Sequence, residues 1–233
     1  MALINNLELK DAINNQLEME KEVFTNEELL TITEIYLDAV NYSNEYQPID
    51  FNELLLLKNL QKITLRNVYF DTLTLSKLIT FANIKELHFI DCTFATIAAL
   101  VKFDLEVLTF SSCSIDDMKV INLWPHLTEL NLEGFEQVDL ADIKIINQLK
   151  IISLYSSNIT NFTLLKQATN LEELRIDNTN IKDFSDLVYL PKLKQVIISR
   201  YQIQNNEATI NELQAKGISV IDEMNQEVGE LNG

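Results

Sequence analysis

LTELNL at 127–132, LKIISL at 149–154, LEELRI at 171–176 and LKQVII at 193–198 write one pattern four times at a fixed interval. Each window reads apolar-x-x-apolar-x-apolar. The same form stands upstream in LQKITL (60–65), IKELHF (84–89) and LEVLTF (105–110). The middle apolar residues fall at 63, 87, 108, 130, 152, 174 and 196, so the intervals are 24, 21, 22, 22, 22 and 22 residues. All 21 triplet positions are apolar in a chain that is 47% apolar. Five residues beyond each third position stands a further apolar residue: Phe70, Phe94, Ile115, Ile159, Ile181 and Ile203, with Gln137 breaking the column beside Val138. Composition alone does not hold such a register, and the chain is therefore an internal repeat.

The spacing dictates the geometry. The last two apolar positions of a triplet are two apart, so they share one side of a strand while the residues between them face the other way. One unit cannot bury its apolar side alone; stacked units bury it against each other. About 22 residues per unit leave room on the return for an extended or 3₁₀ segment but not for a long helix in every unit. The expected fold class is α/β, a right-handed leucine-rich-repeat solenoid with a parallel concave β-sheet.

These units resemble the bacterial leucine-rich repeats of the internalin type. The similarity extends to a helical cap before the first repeat. Leu7-Glu8-Leu9, Ala12-Ile13 and Leu17 match its first helix, and Phe24-Thr25, Glu28-Leu29, Ile32, Ile35 and Leu37 match its threonine-led second helix and first strand. Thr25 and Glu28 have the spacing of a capping box, in which hydroxyl and carboxylate each satisfy a backbone N–H. Ile32/Ile35/Leu37 reads as a degenerate first triplet, which makes eight repeats. The resemblance implies a helical N-terminal cap over 1–33, repeats over 34–204, and a C-terminal cap with an acidic tail over 205–233. In that last segment Ile210 and Leu213 share a helix face, Gly217 ends the helix, Ile218–Ile221 gives a closing strand, and the polar stretch from Asp222 onward is expected to fray.

The chain departs from the family in one column. Where the family places asparagine or cysteine, five residues after the middle apolar position, this sequence has Val68, Cys92, Cys113, Phe135, Ser157, Thr179 and Tyr201. A continuous asparagine ladder is absent, which implies a more irregular turn.

Composition excludes several functions. With 35 acidic and 18 basic residues the formal net charge is −17. That field repels nucleic acid and anionic lipid and favours a basic protein partner. Four glycines leave no Gly-rich phosphate loop. The opening MALINNLELKDAINNQLEMEKEVF lacks a basic segment followed by an apolar run, so no secretory signal is read there, and no apolar stretch approaches the roughly 20 residues of a membrane span. Two cysteines do not make a disulfide framework. A cytoplasmic location follows as the expectation.

Chemistry-bearing residues are few. Cys92 and Cys113 occupy equivalent positions of adjacent repeats and read as buried thiols, although a disulfide between them is geometrically possible; zinc would need two further ligands. His88 lies between Leu87 and Phe89 on the outward side, where Thr64 or Thr109 would have to serve as nucleophile, with no strained turn or oxyanion hole in the pattern. His126 belongs to the outer turn around Trp124-Pro125, itself a packing unit of the return. Glu129, Glu133 and Asp177 are carboxylates on one open, wet face, which lacks the pocket a glycosidase pair requires.

The outward strand positions remain. Ile90, Val107, Ile151, Tyr155 and Ile197 are unusual choices for a face that meets only water, and they are interspersed with charge. The candidate partner-binding set on the concave face is Tyr36, Asp38, Arg66, His88, Ile90, Glu129, Glu133, Ile151, Tyr155, Arg175, Asp177 and Ile197. The reading is a non-catalytic module, without cofactor or metal, that binds a protein through this face and is a monomer when unbound. An intracellular inhibitor of the immunity type is one biological form of it. A host-interaction protein exported without a classical signal is the alternative, and a hydrolase is the third reading.

Because each middle residue is enclosed by its neighbours, Leu130→Asp or Leu174→Asp should abolish soluble folding, since an unpaired buried carboxylate costs several kcal/mol. Soluble variants with a cooperative melt by circular dichroism would contradict the register.

Overall fold

The computed structural model describes residues 1–40, 49, 51–81, 83–224 and 226–229. It divides into two units, Met1–His126 and Leu127–Gly233. The first carries parallel strands β1 (Glu34–Asp38), β2 (Lys62–Arg66), β3 (Glu86–Ile90) and β4 (Val107–Ser111). They pair in sequence order with their middle residues in register: Ile35 with Ile63, Ile63 with Leu87, Leu87 with Leu108. The second carries β5 (Glu129–Glu133), β6 (Ile151–Ser153), β7 (Glu173–Arg175), β8 (Gln195–Ile198) and β9 (Ser219–Asp222). Leu130, Ile152, Leu174, Val196 and Val220 stack across it in the same way. All the triplet residues are buried, including those of the degenerate Ile32/Ile35/Leu37.

The length of each interval sets the structure of its return. The 24-residue step from Ile63 to Leu87 accommodates a helix, α4 (Thr72–Leu78), started by Asp71, whose carboxylate accepts the Thr74 N–H at 2.7 Å. The shorter steps hold 3₁₀ turns: Ala98–Lys102 and Met118–Leu123 in the first unit, Leu140–Asp142, Phe162–Gln167 and Ser185–Tyr189 in the second. Two or three residues decide between a 3₁₀ turn and a helix because the 3₁₀ form rises more steeply per residue. The apolar column on the return is also filled. Phe70, Phe94, Ile159 and Ile181 are buried, and Val138 takes the place left by exposed Gln137. Phe70 and Phe94 stack at 4.8 Å, with Phe89 edge-on to both. Trp124 is fully buried in its turn.

Strands β2 to β7 are each followed by a residue in the left-handed region: Asn67, Asp91 and Ser112 in the first unit, Gly134, Ser156 and Asn178 in the second, with φ between 52° and 71°. Asn, Asp and Gly tolerate this region best. The bend aims their N–H groups at the neighbouring chain; that of Asn67 donates to the Ile90 carbonyl at 3.1 Å and that of Gly134 to the Tyr155 carbonyl at 2.9 Å.

At most positions of the missing asparagine ladder other side chains make its bonds, while Val68 and Phe135 carry no side-chain donor. The Ser157 hydroxyl accepts the Phe135 N–H at 2.9 Å and donates to the Leu132 carbonyl at 3.0 Å. Thr179 donates to the Ile176 carbonyl at 2.7 Å. The Cys92 thiol donates to the Leu65 carbonyl at 3.3 Å and the Cys113 thiol to the Phe89 carbonyl at 3.4 Å. Tyr201 is exposed, and buried Gln202 one residue later does the work in its place. Its amide donates to the Ile181 carbonyl at 2.9 Å and its Oε1 accepts the Ser199 N–H at 2.8 Å.

At the N-terminal end α1 (Leu7–Leu17) is capped by Asn6 and buries Leu9 and Ile13. The next helix, α2 (Asn26–Thr31), carries the expected capping box: the Glu28 N–H donates to Thr25 Oγ1 at 3.2 Å and the Thr25 N–H to Glu28 Oε2 at 2.9 Å. Glu53, in the single turn α3 (Phe51–Leu54), accepts the N–H groups of Asn5 and Asn6 and ties the chain start to the first repeat. At the other end α5 (Arg200–Ile203) is followed by α6 (Glu207–Ala215), which buries Ile210 and Leu213; Gly217 then turns at φ 79° into β9. Beyond β9 the expected fraying does not occur in the described residues. The Val228 N–H donates to the Val220 carbonyl at 2.9 Å, Asp222 and Val228 are buried, and Ile221 bridges Glu227 in antiparallel fashion. Buried Val228, with the Ser219–Glu227 and Gln226–Asp222 hydrogen bonds, holds this polar stretch back over β9.

Cys92 and Cys113 are free thiols. The neighbouring Cys92 thiol first, and burial second, hold the Cys113 thiol above the ordinary thiol value. Cys92→Ala should lower stability by about 1 kcal/mol, as expected for truncating a small buried group, and Cys92→Ser should recover part of it through the same carbonyl contacts. Thiol trapping should find both reduced; a disulfide in freshly isolated protein would refute the packing role.

Candidate functional site

The outward residues of each sheet form rows across its strands. In the first unit these rows are largely paired internally. Lys62 of β2 stands in register between Glu34 of β1 and Glu86 of β3, with its ammonium 3.4 Å and 4.0 Å from their carboxylates. Arg66 reaches Asp91 at 3.1 Å and Asp38 at 3.9 Å. Tyr36 first and Asp91 second raise the pKa of its guanidinium, which stays charged. Asp38 also accepts the Asn67 side-chain amide at 2.7 Å. Tyr36 is 46% exposed, whereas Ile90 is half-buried.

His88 lies with Nδ1 2.9 Å from Thr109 Oγ1 and Nε2 3.7 Å from Glu86. The sequence of hydroxyl, imidazole and carboxylate has the order of a nucleophilic relay. However, Thr109 is buried in β4, and the backbone beside it pairs with β3 rather than forming the exposed, strained turn a nucleophile needs. The contacts orient His88 within the sheet. At the edge of this unit Asp104 binds Lys85 at 2.7 Å and His126 at 2.6 Å, and the lysine and then the histidine hold its carboxyl below the usual carboxylate range.

The second unit is differently built. Its rows run Glu129–Ile151–Glu173–Gln195 and Asn131–Ser153–Arg175–Ile197. Between them lies a shallow depression of about 200 Å³ with Ile151 and Ile197 in its lining, together with Glu133, Glu173 and Arg175. Arg175 sits 4.5 Å from the centre of the Tyr155 ring and donates twice to Asp177, at 2.7 Å and 3.2 Å. Asp177 comes first among the causes that raise the guanidinium pKa. Glu133 accepts the Ser153 hydroxyl at 2.7 Å, and Glu129 accepts the Asn131 amide at 2.9 Å.

The structure thus brings Glu129, Glu133, Ile151, Tyr155, Arg175 and Ile197 onto one face, and Tyr36, Asp38, Arg66, His88 and Ile90 onto the face of the other unit. Asp177 is a correction. Expected as an exposed carboxylate, it has 0% exposure. The carboxylate turns onto its own arginine, which donates to both of its oxygens. Ile151, Tyr155 and Ile197 are half-buried rather than fully exposed. Glu173 and Gln195 line the depression without having stood among the candidates, although register with Glu129 and Ile151 marks them. Among the described residues no three His, Cys, Asp or Glu side chains cluster as a metal site, and no helix is long and apolar enough to cross a membrane.

Solved structures share this architecture. An internalin (inlF) from Listeria monocytogenes aligns with a TM-score of 0.61 and 19% identity over 96% of this chain and 71% of that one. Internalin C2 from the same organism aligns with a TM-score of 0.61 and 19% identity over 87% of this chain and 90% of its own. A leucine-rich-repeat protein from Leptospira interrogans gives a TM-score of 0.55 and 15% identity over 95% of this chain and 64% of that one. No protein-family model and no curated protein sequence matches the chain. What is shared at these identities is the fold, and the chain is an α/β leucine-rich-repeat solenoid.

Arg175→Ala should lower stability by about 2–3 kcal/mol, because it strands a buried carboxylate, whereas Glu133→Ala, on the half-open face, should lower it by less than about 1 kcal/mol. Urea denaturation checks the order; equal losses would mean that Asp177 is not held by Arg175.

Proposed function

We propose that this chain is a non-catalytic protein-binding module that engages a basic partner through its strand face. The observation that carries the reading is the depression on the second unit, where aliphatic Ile151 and Ile197 lie among carboxylates and Arg175 of the lining stacks on Tyr155. Apolar and aromatic anchors ringed by charge match the anatomy of a protein interface. The net charge of −17 favours a cationic partner and would accelerate its encounter.

The biological form proposed is an intracellular inhibitor of the immunity type, cytoplasmic and monomeric when unbound, whose acidity suits a basic target. Fractionation of the source cells tests the location. Recovery outside the cell would favour the exported, host-interacting alternative. Turnover of a substrate that is lost in Glu133→Gln or His88→Ala would revive a hydrolase.

With the partner captured from source-cell extract and then purified, Tyr155→Ala and Ile197→Ala should each weaken binding by about 1–3 kcal/mol, mainly through faster dissociation. Both variants should keep the parental melting temperature within a few degrees. Surface plasmon resonance measures the rates. If Tyr189→Ala, on the exposed return, abolishes binding while both strand-face changes leave it intact, the partner uses another surface.

A further inference from the structure

The two units contain the same acidic row with a different centre. In the first, register places Lys62 between Glu34 and Glu86, and its ammonium lies 3.4 Å and 4.0 Å from their carboxylates. In the second, register places Ile151 between Glu129 and Glu173. The carboxylates of each row are two strand spacings apart, about 9.6 Å. Among the described residues, Glu129 and Glu173 lie within ion-pair distance of no cation, and neither does Glu133 beside them. Arg175 on that face is committed to Asp177 and to the Tyr155 ring and acts on Glu133 only at longer range, as Lys194 does on Glu173.

We infer that the Glu129–Ile151–Glu173 row receives a lysine or arginine side chain from a protein partner, which supplies the cation that the first unit supplies to itself through Lys62. The methylene stem would lie on Ile151 at the edge of the depression, and the charged head would stand between the two carboxylates, as the Lys62 ammonium does. Two features distinguish this row from a merely solvated acidic patch. The molecule holds an occupied copy of the same register, and the place that Lys62 takes there is taken here by aliphatic Ile151, at the edge of a depression that Ile197 also lines. The inference rests on the strand-face reading above and names the chemistry that the face recognises there.

The probe is an end-blocked hexapeptide of alternating lysine and serine, titrated into the full chain and followed by amide NMR and calorimetry. The wild type should show its largest shifts at Glu129, Ile151 and Glu173. Ile151→Lys installs the chain's own cation and should weaken the peptide about tenfold, the size of one charge-assisted contact. Glu207→Gln, on α6, changes the net charge by the same amount and should leave binding within about twofold, as a distant screened charge does. Should Ile151→Lys fail to fold, Glu173→Gln and Ile151→Met carry the test: the first should weaken binding about fivefold, as a lost half of the carboxylate pair, and the second should leave it unchanged. No binding by the wild type, shifts centred elsewhere, or equal losses in Glu207→Gln and Ile151→Lys would overturn the inference. If the purified partner is lost with Tyr155→Ala but indifferent to Ile151→Lys, only this inference falls. If it is indifferent to both, the strand-face reading falls with it.

Discussion

Every other feature depends on the in-register stacking of one buried residue per repeat. Leu130, Ile152, Leu174 and Val196 in one unit, and Ile35, Ile63, Leu87 and Leu108 in the other, sit opposite each other across parallel strands. Each is enclosed by the repeats on either side, so no repeat can be stable alone. A slip of one residue would turn the entire apolar set outward, and the register is therefore fixed by burial. The outward rows inherit it. Lys62 meets Glu34 and Glu86, and Ile151 meets Glu129 and Glu173, because the residues beneath them are locked.

The turns satisfy the backbone that this stacking leaves behind. Among the described residues, a left-handed residue follows six of the nine strands, and behind four of these residues a small polar or thiol side chain bonds the carbonyls the bend exposes. The donor need not be asparagine, nor sit at a fixed place in the sequence. Gln202 reaches from one residue further along, since its side chain is one methylene longer than asparagine's, and α5 carries it inward. What the fold requires is a buried donor at that point in space.

The same distinction explains what could be read from the residues alone. Triplets, the Thr25–Glu28 capping box, the helix around Ile210 and Leu213 and its end at Gly217 are local patterns, and they are where the spacing puts them. Asp177 was legible as a charge but not as a buried one, because its burial accompanies a bidentate contact with its own Arg175, which periodicity does not specify. The return of Val228 over β9 depends on a few irregular hydrogen bonds between segments and leaves no periodic trace. Glu173 stood in the outward pattern, yet its importance appears only beside its counterpart in another repeat, once the register pairs it with Ile151.

A repeat array separates stability from recognition more completely than most folds. The buried columns tolerate little change, since each supports its neighbours, whereas an outward position can exchange Lys62 for its counterpart Ile151 without altering the ladder beneath. Such an exchange changes what the surface lacks. With lysine between two glutamates the row is electrically complete, and a partner gains little there beyond apolar contact. With isoleucine the corresponding glutamates keep their repulsion, and an incoming cation relieves it at the cost of part of their hydration, while its stem meets apolar surface. A uniform acidity would attract any basic protein. An acidity left unneutralised in one row, at a fixed spacing and over an aliphatic ledge, selects among them by where their cations lie.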